Sequence, residues 1–180
     1  MRLFYAVTFD GDVKNKLCDV IDGIRPYCKS GRFTASENLH LTLVFLGETP
    51  FNRVALAREA ADSADMEQFS VMLGGIGRFK HKGGDILWIG AKPQQNLIKI
   101  YDSLCASLKA DGFKIESRAY SPHVTLARQA VLSAGTQNVL LCHGAEIELP
   151  VRKISLMKSE RVNGKLTYTE IYAKPLKKEC

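Results

Sequence analysis

Asn38-Leu39-His40-Leu41-Thr42-Leu43-Val44-Phe45-Leu46-Gly47 is an apolar, β-prone run into which one histidine and one threonine are set two positions apart. Ser121-Pro122-His123-Val124-Thr125-Leu126-Ala127-Arg128 repeats the pattern. Side chains on a strand alternate faces, so His40 and Thr42 point one way while Leu41 and Leu43 point the other. His123 and Thr125 are likewise opposed to Val124 and Leu126. Each run therefore predicts a buried strand that offers a polar pair from an apolar base. A single such pair is weak evidence, because a histidine on a strand is more often structural than catalytic. Two matched pairs among four histidines and eight threonines are a much stronger signal.

Working outward, the surroundings of the two runs are also alike. A strand is expected near Leu3 to Phe9 and a helix from Asp12, read as its N-cap, to Cys28, with Leu17, Ile21 and Ile24 on one face. Past the first His-x-Thr run, Thr49-Pro50 predicts an N-cap and first helical position for an Ala-rich helix reaching Ala64. Strands near Phe69 to Phe79 and Ile86 to Gly90 flank the turn Lys80-His81-Lys82-Gly83-Gly84. A helix from Pro93 to Asp111 follows, ended by Gly112, and then the second His-x-Thr strand, His123 to Arg128. The tail predicts strands over Glu146 to Ser159 and Lys165 to Ala173, with an Asn163-Gly164 hairpin turn between them. The order strand, helix, His-x-Thr strand thus occurs twice, with the histidines 83 positions apart (123 less 40). A gapless shift of 83 sets Tyr5 on Trp88, Leu17 on Ile100, Leu41 on Val124 and Thr42 on Thr125. An internal duplication, with two similar lobes about an approximate two-fold axis, is the expectation.

The 180 residues are 46% hydrophobic and 24% charged, the balance of an ordinary globular protein, with no low-complexity tract. The apolar start Met1 to Phe9 is too short to span a membrane and reads as a buried strand rather than a signal. Five cysteines without Cys-x-x-Cys spacing suggest neither a disulfide framework nor a zinc site, and reduced thiols in the cytoplasm are expected. The net charge of +6 lies wholly in residues 91–180, which hold 14 Lys/Arg and 8 Asp/Glu against 11 and 11 in residues 1–90. A basic half suits a polyanion such as RNA.

Opposed across a cleft, the two pairs would place two imidazoles and two hydroxyls around one small anion. In-line displacement at phosphorus needs a base for the incoming water and an acid for the departing alkoxide on opposite sides. Two imidazoles suit both roles, and Thr42 and Thr125 can donate to the non-bridging oxygens. The scheme needs no metal or cofactor. Arg128 is a candidate phosphate contact, although strict alternation from His123 puts it on the wrong face unless the strand bends. Tyr120 and Phe9 are candidates to stack on a base. His81, in its basic turn, reads as solvated, with Lys80 and Lys82 placed to steer RNA, and His143 reads as structural.

The two runs resemble the signatures of the 2H phosphoesterase superfamily. With Met1-Arg2-Leu3-Phe4, Leu73-Gly74-Gly75-Ile76-Gly77 and Leu87-Trp88, the chain looks like the bacterial and archaeal RNA 2',3'-cyclic phosphodiesterases, formerly called 2'-5' RNA ligases. The resemblance implies an α+β fold of two pseudo-symmetric lobes of antiparallel sheet flanked by helices, as one bilobal domain over 1–180 with a central cleft. It implies hydrolysis of RNA terminal 2',3'-cyclic phosphates to 2'-phosphates, a weak reverse ligation, His40 as proton donor and His123 as proton acceptor. A monomer acting on RNA ends or cyclic nucleotides, away from membranes, is the expected form. The alternatives are a 2',5'-linkage phosphodiesterase or RNA ligase on the same histidine pair, and a noncatalytic RNA- or nucleotide-binding module. The last has no need of two opposed titrating groups.

Overall fold

The computed structural model describes residues 1–116, 119–136 and 145–178. The elements run β1 (Arg2–Thr8), α1 (Gly11–Ile24), β2 (Cys28–Phe33), β3 (His40–Glu48), α2 (Val54–Asp62), β4 (Phe69–Phe79), β5 (Asp85–Ala91), α3 (Gln95–Ala110), β6 (His123–Leu132), β7 (Ile147–Val151), β8 (Lys153–Val162) and β9 (Lys165–Pro175). All nine strands join one antiparallel sheet in the order β7-β4-β5-β6-β3-β1-β8-β9, with β2 added to β6. The fold is α+β.

That order is palindromic about the junction of β3 and β6. These strands share a single ladder pair, Leu41 opposite Val124. Since the repeat maps 41 onto 124, this pair is its own counterpart, and the pseudo-two-fold axis passes through it. The halves β9-β8-β1-β3 and β6-β5-β4-β7 are therefore arranged alike about that axis, with β1 answering to β5 and β3 to β6, side by side in one sheet.

Strand alternation decides the layers. On β1, Leu3, Tyr5 and Val7 enter the main core with Leu17, Ile21 and Ile24 of α1 and Leu97, Ile100, Leu104 and Leu108 of α3. Phe4 and Ala6 face the other way and join Met157 and Tyr168 in a small second cluster. The helices thus cover one face of the sheet and leave the other open. Tyr5 is fully buried and donates its hydroxyl to the Ala57 carbonyl of α2, so a buried polar group is satisfied.

The structure corrects several expectations. The N-cap of α1 is Asp10, which accepts from the Val13 amide at 3.0 Å, and not Asp12. The helix stops at Ile24 because Pro26 forces a short 3-10 turn, and Cys28 begins β2 instead of ending α1. Thr49 is buried ahead of a 3-10 turn, and α2 starts only at Val54. The helix after β5 begins at Gln95, capped by Gln94. The predicted strand Glu146 to Ser159 is two strands separated at Arg152. His143 lies outside the described residues.

The gapless shift also fails by one residue on β1. Thr8 pairs with His40 and Ala6 with Thr42, whereas Gly90 pairs with His123 and Trp88 with Thr125. The offset between β1 and β5 is therefore 82, which sets fully buried Tyr5 on fully buried Leu87, not on Trp88. A one-residue slip exchanges the two faces of a strand, so the gapless match had assigned Trp88 to the core when it belongs to the open face.

Candidate active site

The open face holds a cleft of ≈ 750 Å³ over the β3/β6 junction, lined by His40, Thr42, His123, Thr125 and Arg128 among others. The register fixed by Leu41 and Val124 sets His40 across from Thr125 and Thr42 across from His123. Leu41 and Val124 are fully buried beneath them. The alternation read from the sequence thus delivers both polar pairs to one site.

Each imidazole is fixed in the same way. His40 Nδ1 lies 2.7 Å from the Asn38 carbonyl oxygen, and His123 Nδ1 lies 2.7 Å from that of Ser121. A carbonyl only accepts, so Nδ1 carries the proton in both, and Nε2 is the nitrogen left to exchange protons. Both rings are also held by aromatic neighbours. His40 packs between Phe4 (4.9 Å between centroids) and Tyr168 (5.0 Å), and His123 contacts Phe79 (5.2 Å) and Trp88 (5.9 Å). The backbone carbonyls of Thr42 and Thr125 accept from the hydroxyls of Tyr120 (3.1 Å) and Thr34 (2.9 Å).

Burial holds the His40 imidazole down to about 4, and the positive charges of Arg128 and His123 push the same way, against the hydrogen bond to Asn38. With no anion bound, His40 is therefore neutral at ordinary pH.

Arg128 reaches the cleft through a bulge. Leu87 pairs with Ala127 but Trp88 with Thr125, so Leu126 is an extra residue on β6. Leu126 and Ala127 are both buried, the alternation changes phase, and Arg128 emerges on the same side as His123. The bend required for phosphate contact is present. β3 carries the same bulge at Leu43, since Tyr5 pairs with Val44 and Ala6 with Thr42. Its product is Phe45, 47% exposed and lining the cleft.

Of the stacking candidates, Phe9 is buried in the core. Tyr120 lines the cleft, but one of its faces is covered by Tyr101, stacked at 4.2 Å. His81 is exposed yet also lines the cleft, so it is more than a solvated turn residue. Sequence reading missed the aromatic set Phe4, Phe45, Phe79, Trp88 and Tyr168. The signal was available for Phe4, which alternates with core positions Leu3 and Tyr5, and was obscured for Trp88 by the one-residue slip. Among the described residues there is no group of three His, Cys, Asp or Glu able to hold a metal ion, and no helix is long and apolar enough to cross a membrane.

Two imidazoles, each anchored through Nδ1 to a backbone carbonyl on pseudo-symmetric strands, thus face one cleft. The chain belongs to the 2'-5' RNA ligase superfamily, whose family model matches residues 13–163. It is 28% identical over 163 residues to the RNA 2',3'-cyclic phosphodiesterase of Archaeoglobus fulgidus, covering 88% of this chain and 91% of the other. It is 30% identical over 131 residues to that of Thermotoga maritima, covering 71% and 70%. The fold is shared with the apo form of E. coli LigT, with a TM-score of 0.79 at 24% identity over 97% of this chain and 96% of the other. TT0787 of Thermus thermophilus matches with a TM-score of 0.78 at 26% identity over the whole of both chains.

Proposed function

We propose that this protein hydrolyses the 2',3'-cyclic phosphate at the 3' end of RNA to a 2'-phosphomonoester, by acid–base catalysis between His40 and His123 without a metal ion. The observation that carries the reading is the matched pair of imidazoles on one cleft, each with Nδ1 tied to a carbonyl. The names of the relatives, RNA 2',3'-cyclic phosphodiesterases over most of their length, support the substrate. The related E. coli LigT has been crystallised with 3'-AMP, at 25% identity to this chain.

In this mechanism the cyclic phosphate lies over the β3/β6 junction, its non-bridging oxygens accepting from Thr42, Thr125 and Arg128. His123 takes the proton of the attacking water, and the P–O3' bond breaks as His40 delivers a proton to the 3' oxygen. His40 must then be charged, although it is neutral in the free site. The phosphate supplies the change. A unit negative charge about 4 Å away is worth about 4 kcal/mol at an effective dielectric of 20, or about 3 pKa units. That returns a group at about 4 to the neutral range. Substrate thus charges its own acid.

The same reading makes the protein a cytoplasmic monomer, in keeping with RNA as substrate and with free thiols at Cys18, Cys28 and Cys105. The test is turnover of a nucleoside 2',3'-cyclic phosphate in excess chelator with identification of the product isomer. A 2'-phosphate is expected. A 3'-phosphate, or activity that vanishes in chelator and returns with a divalent ion, would overturn the mechanism.

A further inference from the structure

The β4–β5 hairpin carries a cluster that the acid–base chemistry leaves unused. Its turn reads Lys80-His81-Lys82-Gly83-Gly84, with Lys80, His81 and Lys82 all exposed. The turn is built rather than loose. Arg78 Nη1 donates to Asp85 Oδ2 at 2.8 Å between side chains only 26% and 16% exposed. The His81 amide donates to Asp85 Oδ1 at 3.4 Å, and the Gly84 amide to the His81 carbonyl at 3.2 Å. Gly84, at φ +101°, lies so near Gln129 that a Cβ there would come within 2.7 Å of its backbone. The tip is therefore docked against the segment that follows Arg128.

Phe79 packs on His123 and lines the cleft, as does His81 two residues on. His81 thus stands two residues beyond the side chain that packs on His123, at the end of β4. Arg128 lines the cleft together with Phe79 and His81 of the hairpin, and Lys80 and Lys82 flank His81 at the exposed tip. Among the described residues no ion pair engages Lys80 or Lys82.

A 2',3'-cyclic phosphate closes the 3' end of an RNA, so the chain can continue only through the phosphate on the 5' oxygen of the same ribose. With the cyclic phosphate at the histidines, that 5'-phosphate lies one nucleotide step away. We propose that the Lys80-His81-Lys82 turn binds the 5'-phosphate of the terminal nucleotide, so that the enzyme selects an RNA chain end over a free nucleoside cyclic phosphate. This rests on the cyclic phosphodiesterase reading and names its substrate class.

The experiment compares kcat/KM for adenosine 2',3'-cyclic phosphate, the same compound bearing a 5'-phosphate, and a short RNA ending in a 2',3'-cyclic phosphate. Wild type is set against the Lys80→Ala/His81→Ala/Lys82→Ala variant. The preference for the 5'-phosphorylated compound over its 5'-hydroxyl counterpart should fall roughly tenfold in the variant. The salt slope for the RNA should flatten by about 0.7, the worth of one lost phosphate contact on a single strand. An unchanged preference and slope would overturn the proposal. Lys80→Gln/Lys82→Gln, which keeps side-chain bulk, takes its place if the triple variant does not fold. If wild type hydrolyses none of the three, the functional reading fails and the hairpin is judged by equilibrium binding of an RNA with a 2'-phosphate end. There the substitutions must still weaken binding and flatten its salt dependence, or the hairpin proposal fails as well.

Discussion

The depressed basicity of His40 can be tested without any turnover. Its imidazole is held at about 4, first by burial and then by the charges of Arg128 and His123, against about 6.5 in an unfolded chain. The difference, about 2.5 units, is worth about 3 kcal/mol at most. Between pH 6.5 and 4 the unfolded chain binds a proton at this position that the folded chain refuses. Stability on this account is full above pH 6.5 and declines as pH falls toward 4. Replacing His40 with Asn should remove most of that decline, measured as unfolding free energy against pH. An NMR titration of the ring should place its midpoint near 4 in the free protein, and adding inorganic phosphate or a nucleoside 2'-phosphate should raise it by one to three units. Arg128→Gln should raise it less, because burial is the larger cause. A free-state midpoint at 6.5 or above, or one indifferent to phosphate, would refute both the electrostatic reading of the site and the idea that substrate charges the acid.

Three further outcomes are expected. Gly77 sits under Trp88, and a Cβ there would stand 2.2 Å from its ring; Gly77→Ala should displace the indole from His123, costing about 1–3 kcal/mol and lowering kcat more than it changes KM, and an unchanged kcat would show that the aromatic packing does not position the histidine. Arg128→Ala should lower kcat/KM roughly tenfold to a hundredfold, as loss of a charge-assisted phosphate contact, and an effect under twofold would remove Arg128 from the site. His40→Ala and His123→Ala should each lose roughly 10²- to 10⁴-fold in rate, but a substrate with sulfur at the bridging 3' position, whose thiolate leaves without a proton, should rescue His40→Ala alone. Rescue of His123→Ala instead would exchange the two roles.

The parts of this structure that were legible in the sequence are those governed by local periodicity. The His-x-Thr strands, the helix stripes and the Asn163-Gly164 turn, where Asn163 has φ 50°, follow from alternation and turn chemistry. What was missed depends on partners distant in sequence. β2, Cys28–Phe33, carries Lys, Ser, Gly and Arg and has little strand character of its own; it forms because β6 runs past the single β3 contact and leaves its outer half unpaired. The single strand expected over Glu146 to Ser159 is split at Arg152 because its two parts take different partners: β7, an edge strand that tolerates Pro150, pairs with β4, and β8 pairs with β1 and β9. The choice of Asp10 over Asp12 as cap turns on where β1 ends, which its pairing with β3 decides.

Arg128 and Phe45 show how a duplicated scaffold becomes a directional site. They too stand 83 positions apart (128 less 45), and each is carried onto the cleft face by the same bulge, with Leu126 and Leu43 as the extra residues. The backbone device is shared, and the side chain is not. One half of the cleft receives a cation and the other an exposed ring, so an anion and an apolar surface cannot be bound interchangeably on the two sides. The histidines diverge in the same manner. Identical Nδ1 anchors hold both, but the rings around them differ, Phe4 and Tyr168 at His40 and Phe79 and Trp88 at His123, and burial depresses the basicity of His40. In the proposed mechanism His40 must carry a proton to act as the acid, so its depressed basicity in the free site makes the charge of the bound phosphate part of the catalytic device: an opposite charge nearby favours the protonated ring.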